Sequence, residues 1–315
     1  MRTLVIGGSG FVGHAVVRAL VAEGHAVSVL NRGTRPLIGV EQLIADRNDA
    51  KAVTSALLDR EFDCVIDTNA YTGEQARIMV TALAGRVTRA AVISSAAVYS
   101  DGAATPAREI DLAGGGSAWA EYGRGKVEVE EVYREARFPV CATFRPPYIF
   151  GPNNDLDRES WFFRRIRHGR PVLVPGSGSA VYQFLHEDDL GAAITTWLSG
   201  TKDALGPIFA AYNLADPELV TSAGLTVLLA SVAGREVKMH CVGSAAGERR
   251  PRTWFPFRDI DCAVDPSRFM NAYGWSPAAP LEQRFADVLS ALERRGALAQ
   301  NDWTPLEADL LEILS

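Results

Sequence analysis

A doubly wound α/β fold around a parallel sheet, followed by a smaller mixed lobe, is the architecture this chain predicts, and three observations carry the prediction. Short apolar runs rich in β-branched residues alternate with helical patterns through the first half, the order that parallel strands with crossover helices produce. A glycine-rich run, GGSGFVG at 7–13, follows the first apolar run and opens an amphipathic segment with Val16, Val17, Leu20 and Val21 on its apolar side. Polar residues collect where strands end, and the ligand crevice of such a sheet lies there.

The pattern predicts strands near 2–6, 26–30, 42–46, 63–67, 89–94 and 140–145, with helices at 11–23, 49–59, 73–84 and 119–137. Gly7 to Gly13, Asn31-Arg32, Asp46-Arg47, Thr68-Asn69 and Ser94-Ser95 each follow a strand. After about residue 147, loops such as Gly151-Pro152-Asn153-Asn154 and Pro175-Gly176-Ser177-Gly178 mix with helices. No internal repeat or long linker interrupts the 315 residues.

Composition narrows the class. The chain is 47% hydrophobic and 22% charged, with 28 glycines and 16 prolines, values of an ordinary globular protein that exclude disordered, collagen-like and coiled-coil chains. A net charge of −6 without a basic tail argues against nucleic acid as the main partner, because phosphate binding needs clustered positive charge. Cys64, Cys141, Cys241 and Cys262 form no CxxC pair, so neither a disulfide framework nor a zinc site is expected and a reducing compartment is. The apolar run Leu4 to Ile6 is too short for a signal segment, and no stretch approaches the roughly 20 apolar residues of a membrane span. A soluble cytoplasmic protein is expected.

The glycine run reads as GxGxxG from Gly8 or as GxxGxxG from Gly7. Either register supplies a tight turn, close backbone approach to a pyrophosphate and a helix N-terminus aimed at negative charge. Residues 1–150 are therefore expected to form a dinucleotide-binding Rossmann domain. Residues 151–315 mainly form a substrate lobe, with about 184–214 returning to the first domain. Chains that bind NAD carry an acid about 20 residues past the loop. Here the second strand ends Asn31-Arg32-Gly33, and no acid lies between Glu23 and Glu41. A guanidinium there suits a 2′-phosphate, so Arg32, with Arg35 as a second cation, favours NADP(H), with NAD as the alternative. The other reading is a pair of solvated loop arginines. Asp46 is placed to accept from an adenine amino group, or is a turn former.

Ser95, Tyr122 and Lys126 form the chemical constellation. Tyr122 and Lys126, four apart, share a helix face. With eight tyrosines and four lysines in the chain, about 0.1 such pairs is expected by chance. An ammonium stabilises a phenolate and brings the Tyr pKa from about 10 toward working pH, as acid–base chemistry requires. Ser95, at a strand tip, can bond the same substrate oxygen. Gly123 and Gly125 flank the pair, although helical glycines cost about 1 kcal/mol each. Either the helix starts late or something approaches its backbone closely.

These segments, with SSAAVYSDG (94–102), YGRGK (122–126), RPPYIFGP (145–152), FLHEDDL (184–190), YNLADPE (212–218) and YGWSP (273–277), resemble the successive motifs of extended or atypical short-chain dehydrogenases/reductases, the epimerase/dehydratase superfamily. The resemblance implies catalytic roles for Ser95, Tyr122 and Lys126, the lysine also holding the nicotinamide ribose. It implies cofactor contacts at Gly7, Gly10, Phe11, Val12, Gly13, Asn31, Arg32, Asp46, Arg47, Thr68, Asn69, Ala70 and Pro146. Where nucleotide-sugar members carry a substrate-binding Asn and Arg, this chain has Tyr148 and Tyr182, so those two are its substrate candidates. A diphosphate would then need Arg252 or Arg258. Ala96-Ala97 stands where dehydratases have Asp-Glu, which disfavours dehydration.

His186-Glu187-Asp188-Asp189 reads better as helix capping than as a metal site, because acids in a first turn favour the helix dipole. Arg158, Arg164, Arg165, Arg167 and Arg170, interleaved with Trp161, Phe162 and Phe163, read as an amphipathic helix with solvated arginines or, less well, as an RNA surface like that of the chloroplast stem-loop-binding relatives. Tyr148, Tyr182, Trp161 and Trp254 suggest an aromatic-walled pocket. The function expected is NADP(H)-dependent hydride transfer at a hydroxyl or ketone carbon of a sugar-like or other small molecule. The alternatives are an epimerase with tightly bound NAD(P) and a non-catalytic dinucleotide- or RNA-binding protein.

Overall fold

The computed structural model describes residues 1–200, 208–300 and 303–314. In chain order the elements begin β1 (Arg2–Ile6), α1 (Phe11–Ala22), β2 (Ala26–Asn31), β3 (Glu41–Ile44), α2 (Ala50–Ala56), β4 (Cys64–Asp67), α3 (Gly73–Leu83), β5 (Arg89–Ile93), α4 (Ala120–Glu135) and β6 (Val140–Arg145). They continue with β7 (Tyr148–Phe150), α5 (Glu159–Arg167), β8 (Val172–Val174), β9 (Val181–His186), α6 (Glu187–Ser199), β10 (Ile208–Asn213), β11 (Leu219–Thr221), α7 (Ser222–Val232), β12 (Met239–Cys241), α8 (Ser267–Tyr273), α9 (Leu281–Arg294) and α10 (Pro305–Leu314). The chain divides into two units. One comprises Met1–Ile149, Glu187–Ala215 and Val264–Ser276; the other comprises Phe150–His186, Asp216–Ala263 and Pro277–Ser315.

The first unit is built on a parallel sheet of order β10-β6-β5-β4-β1-β2-β3. The strand order reverses at β1, whose neighbours are β2 and β4, and a ligand crevice forms at such a switch point. The register places Ile6 opposite both Leu30 and Asp67, so the glycine loop, the end of β2 and the end of β4 emerge side by side. β4 is buried throughout, which explains why Cys64–Ile66 run apolar without alternation up to the closing Asp67. A core of Leu4, Ile6, Val65, Met79, Val92 and Val129 fills one face. Helices α1 and α6 cross closely: a Cβ at Gly191 would come within 2.7 Å of Ala19.

The two readings of Gly123 and Gly125 resolve in favour of close approach. Helix α4 starts at Ala120, ahead of both glycines. A Cβ on Gly123 would lie 2.6 Å from the Ala97 carbonyl oxygen, and one on Gly125 would meet the Tyr71 carbonyl oxygen closer than the 3.0 Å that real Cβ atoms respect. The predicted strand at 42–46 stops at Ile44, because Asp46 turns the chain by accepting bonds from the Asn48 backbone and side-chain amides at 2.9 and 2.8 Å. Strand β10 is absent from the sequence-based assignment. Its short apolar run has no period that separates strand from helix.

The second unit carries an antiparallel pair, β9 with β11, and a parallel pair, β8 with β12. Phe162, Phe184, Phe255, Phe257 and Phe285 are fully buried in it. The arginine-rich segment is an amphipathic helix with its charges answered inside the unit: Arg165 grips Glu307 at 2.7 and 2.6 Å, Arg164 pairs with Asp157, and Arg167 with Glu293. Glu187, Asp188 and Asp189 form the first turn of α6 in the first unit. No helix among the described residues is long and apolar enough to cross a membrane.

Replacing an exposed helical glycine by alanine ordinarily stabilises by up to about 1 kcal/mol. Gly125→Ala is expected to do the reverse, costing about 1–3 kcal/mol by overpacking against Tyr71. Thermal unfolding checks the sign: a melting temperature at or above wild type contradicts the seating of α4.

Candidate active site

Each turn of the glycine loop has a physical requirement. Gly7 has φ +83° and its Cα packs so tightly on the Asn69 amide that no Cβ fits. Gly8 faces Val17 and Val29, and Gly13 lies against the Gly7 carbonyl, so both registers of the motif are sterically justified. Gly10 caps α1 with no side-chain bond, the first turn contains no acid, and a Cβ at Gly10 would meet nothing nearer than 3.8 Å. A helix N-terminus left in this state suits an anion. These features fit a dinucleotide pyrophosphate, with the backbone amides of Phe11 and Val12 at the opening.

The rim continues through the neighbouring strand ends. Asn31 is buried; its Oδ1 accepts from Gly33 N at 2.8 Å, while its buried Nδ2 has no partner within the protein. Arg32 is exposed next to it, and its charge reaches Asp46. Thr68 is tied to Ile6 O through N and Oγ1, at 3.1 and 2.8 Å. Ala70 is buried. Arg47 has a different setting from the other rim residues. Its guanidinium makes a buried two-pronged pair with Asp67, both bonds 2.8 Å, and donates to Asn69 Oδ1 at 2.5 Å.

Ser95 is buried at the tip of β5, where it caps a short 3₁₀ turn, Ala96–Val98, by accepting from Ala97 N at 3.2 Å. Ala96 N donates to Pro146 O at 2.8 Å, which ties the β5 and β6 tips together. Lys126 is only 3% exposed, and its Nζ donates to Ile93 O at 2.8 Å, the last residue of β5. The same nitrogen lies 5.9 Å from the ring centre of Tyr122 and 5.1 Å from that of Tyr71. Tyr122 keeps 38% of its surface exposed, between Tyr71 and Trp119 with ring centres 6.3 and 6.4 Å away. Burial lowers the Lys126 pKa to about 8 against the attraction of Asp67.

A family model, the NAD dependent epimerase/dehydratase family, matches residues 3–215. The chain belongs to this family. It is an extended short-chain dehydrogenase/reductase and an enzyme of the nicotinamide-dependent reductase, dehydrogenase or epimerase type. The chloroplast stem-loop binding protein of 41 kDa b from Arabidopsis thaliana is 30% identical over 303 residues, 91% of this chain and 78% of that one. A 2'-dehydrokanamycin reductase from Streptomyces kanamyceticus is 32% identical over 212 residues, 64% of this chain and 59% of the relative. The UDP-glucose 4-epimerase of Thermotoga maritima, solved with UDP-glucose, has a TM-score of 0.76 at 17% identity across 94% of this chain and 99% of that one, a likeness of fold.

Within this family member the site stands on two buried ionic networks. In the first, Asp67 takes Arg47, the Tyr133 hydroxyl at 2.9 Å and Asn69 N at 3.2 Å. Burial pushes the Asp67 carboxyl up, but Arg47 outweighs it and holds the group below the usual range. In the second, Glu130 on α4 binds Arg145 at 2.9 and 2.6 Å. Arg145 donates to the Tyr99 hydroxyl at 3.2 Å, and that hydroxyl donates to Asn213 Oδ1 at 2.6 Å. Sequence reasoning missed Asp67, Glu130 and Tyr133; an acid closing an all-apolar strand was the one available signal for Asp67.

The two substrate candidates have different surroundings. Tyr148 is buried, with its ring centre 6.1 Å from that of Trp119. Tyr182 belongs to the second unit, is fully buried and donates its hydroxyl to Arg258 O at 2.8 Å. Its phenol is thus bonded to backbone within the core of the second unit. Trp161 and Trp254 are likewise buried.

The lowered Lys126 pKa has a stability consequence. The folded chain releases this proton near pH 8, while the unfolded chain keeps it to about 10.5. Between those values the unfolded state binds more protons, so the contribution of Lys126 to stability rises with pH. Relative to Lys126→Met, the wild type is expected to gain up to about 3 kcal/mol between pH 8 and 10.5. Urea unfolding of both proteins across that range measures it, and a flat or falling difference contradicts the buried ammonium.

Proposed function

We propose that this protein is a cytoplasmic NADP(H)-dependent oxidoreductase acting at a hydroxyl or ketone carbon of a sugar-like or other small molecule. One observation carries the reading. The almost wholly buried Lys126 ammonium, anchored on Ile93 O, lies beside the ring of the half-exposed Tyr122. Such a pair stabilises a phenolate and lets the phenol exchange a proton near neutral pH.

The cofactor supplies or accepts a hydride when bound. Gly7, Gly10, Phe11, Val12 and Gly13 hold the pyrophosphate in this reading, and Thr68, Asn69, Ala70 and Pro146 line the path toward the catalytic end. Asn31 offers its unpartnered amide to the adenosine ribose, Arg32 takes the 2′-phosphate, and Asp46 accepts from the adenine. Arg47, committed to Asp67 and Asn69, shapes the rim from beneath. Tyr122 exchanges the proton at its phenol oxygen, Lys126 holds the phenolate charge and bonds the nicotinamide ribose, and Ser95 orients the substrate oxygen. Tyr148 beside Trp119 supplies a substrate wall. Ala96 and Ala97 provide no acid or base for dehydration.

Two alternative readings remain as outcomes of the test. Epimerisation would use the same residues with the cofactor retained. RNA binding draws on the Arabidopsis relative's name, but the arginines of α5 are answered by carboxylates.

Fluorescence titration with NADPH and NADH tests the cofactor. Arg32→Ala is expected to weaken NADPH about 10- to 100-fold, the worth of a charge-assisted bond, and to leave NADH nearly unchanged; an equal loss for both removes the 2′-phosphate assignment. Turnover is screened with keto-aminoglycosides, simple ketones and UDP-glucose. Tyr122→Phe is expected to cut the rate by about 10²–10⁴-fold while NADPH affinity holds. Undiminished turnover in that variant rejects the mechanism, and product formed without net NADPH consumption selects epimerisation.

A further inference from the structure

We propose that Tyr71 is a positioning residue of the active site, its ring holding the Lys126 ammonium from a position adjacent to Tyr122. The inference rests on the Tyr122–Lys126 reading above and adds a residue that the sequence analysis leaves unassigned. Lys126 Nζ is nearer to the Tyr71 ring centre, 5.1 Å, than to that of Tyr122, 5.9 Å, and the two rings are 6.3 Å apart. A cation within about 6 Å of a ring centre is attracted by the ring's quadrupole, most strongly where water is excluded. Lys126 meets that condition, being 3% exposed.

Tyr71 is itself held in place. Its backbone N donates to Gln75 Oε1 at 2.8 Å, and Gln75 Nε2 donates to Asn48 Oδ1 at 3.0 Å. Its carbonyl packs on Gly125, one residue from Lys126, where a Cβ has no room. Half of the side chain stays exposed, 52%, so it covers the lysine from outside and is not part of the core. The charged groups acting on Lys126 are Asp67 on β4, Arg47 beyond β3 and Glu130 on α4. Asp67 and Arg47 oppose one another and are locked together, and Glu130 is taken by Arg145. With these charges committed to one another, the two rings and the Ile93 carbonyl are the neutral groups that favour the ammonium.

The test needs neither substrate nor cofactor. The chain has four lysines, Lys51, Lys126, Lys202 and Lys238, so ¹³Cε-lysine NMR gives four titrating signals, and Lys126→Met assigns the one of interest. Tyr71→Leu keeps apolar cover but removes the ring face, while Tyr71→Phe keeps the face. The Lys126 midpoint is expected to fall by about 0.5–1 pH unit in Tyr71→Leu and to stay in place in Tyr71→Phe. An unmoved midpoint in Tyr71→Leu, a rise toward 10.5 from water entry, or an equal shift in both variants overturns the proposal. None of these outcomes bears on whether Tyr122→Phe retains turnover, so the failure of this inference and of the catalytic reading are separable.

Discussion

Helix α4 meets the loops that follow β4 and β5 backbone to backbone, and the geometry of the site depends on that meeting. At Gly123 and Gly125 the carbonyls of Ala97 and Tyr71 occupy the volume a Cβ would need. Because the helix comes this close, a lysine four residues beyond Tyr122 reaches Ile93 O at the end of β5 instead of solvent. A helix displaced outward by a side chain would leave the ammonium hydrated, with less influence on the phenol. The intrinsic cost of two helical glycines, about 1 kcal/mol each, is the cost of placing a charge at the tip of a buried strand.

The buried ion pairs serve the same end. Glu130 lies one turn beyond Lys126 on α4 and is fixed by Arg145 at the end of β6, so the helix is pinned to the strand next to β5. Arg47 and Asp67 connect the ends of β3 and β4, and through Asn69 they brace the residue that packs on Gly7. Buried pairs of this kind add little net stability because desolvation offsets attraction. Their value here is geometric: they hold the glycine loop and helix α4 on one frame. Removing a single partner would leave an uncompensated buried charge, which is far more costly than the intact pair is stabilising.

Much of this was legible in advance, for identifiable reasons. The strands β1 to β6 and helices α1 to α4 fall close to the segments expected from periodicity, because each buried strand is short and each helix has one apolar stripe. The glycine loop and the Tyr122–Lys126 spacing are local patterns and survive as such. What escaped was non-local. The partnership of Arg47 with Asp67 depends on sheet order, which brings together residues twenty positions apart. Tyr71 sits in the loop TNAYTG and carries no local mark of its nearness to Lys126. The return of Val264–Ser276 to the first unit has no compositional signal. The bond from the Tyr182 phenol to Arg258 O escaped because a position in a motif says nothing about which way a core phenol is bonded.

The most direct test of the central claim, that a tyrosine tuned by a buried ammonium adjoins a dinucleotide resting on the opening glycines, is a crystal structure of the protein grown with NADPH. The account predicts the pyrophosphate at the amides of Phe11 and Val12, the 2′-phosphate at Arg32, and the nicotinamide ribose within hydrogen-bonding reach of Lys126 Nζ. A dinucleotide bound elsewhere, or one whose nicotinamide end lies away from Tyr122 and Lys126, would contradict it.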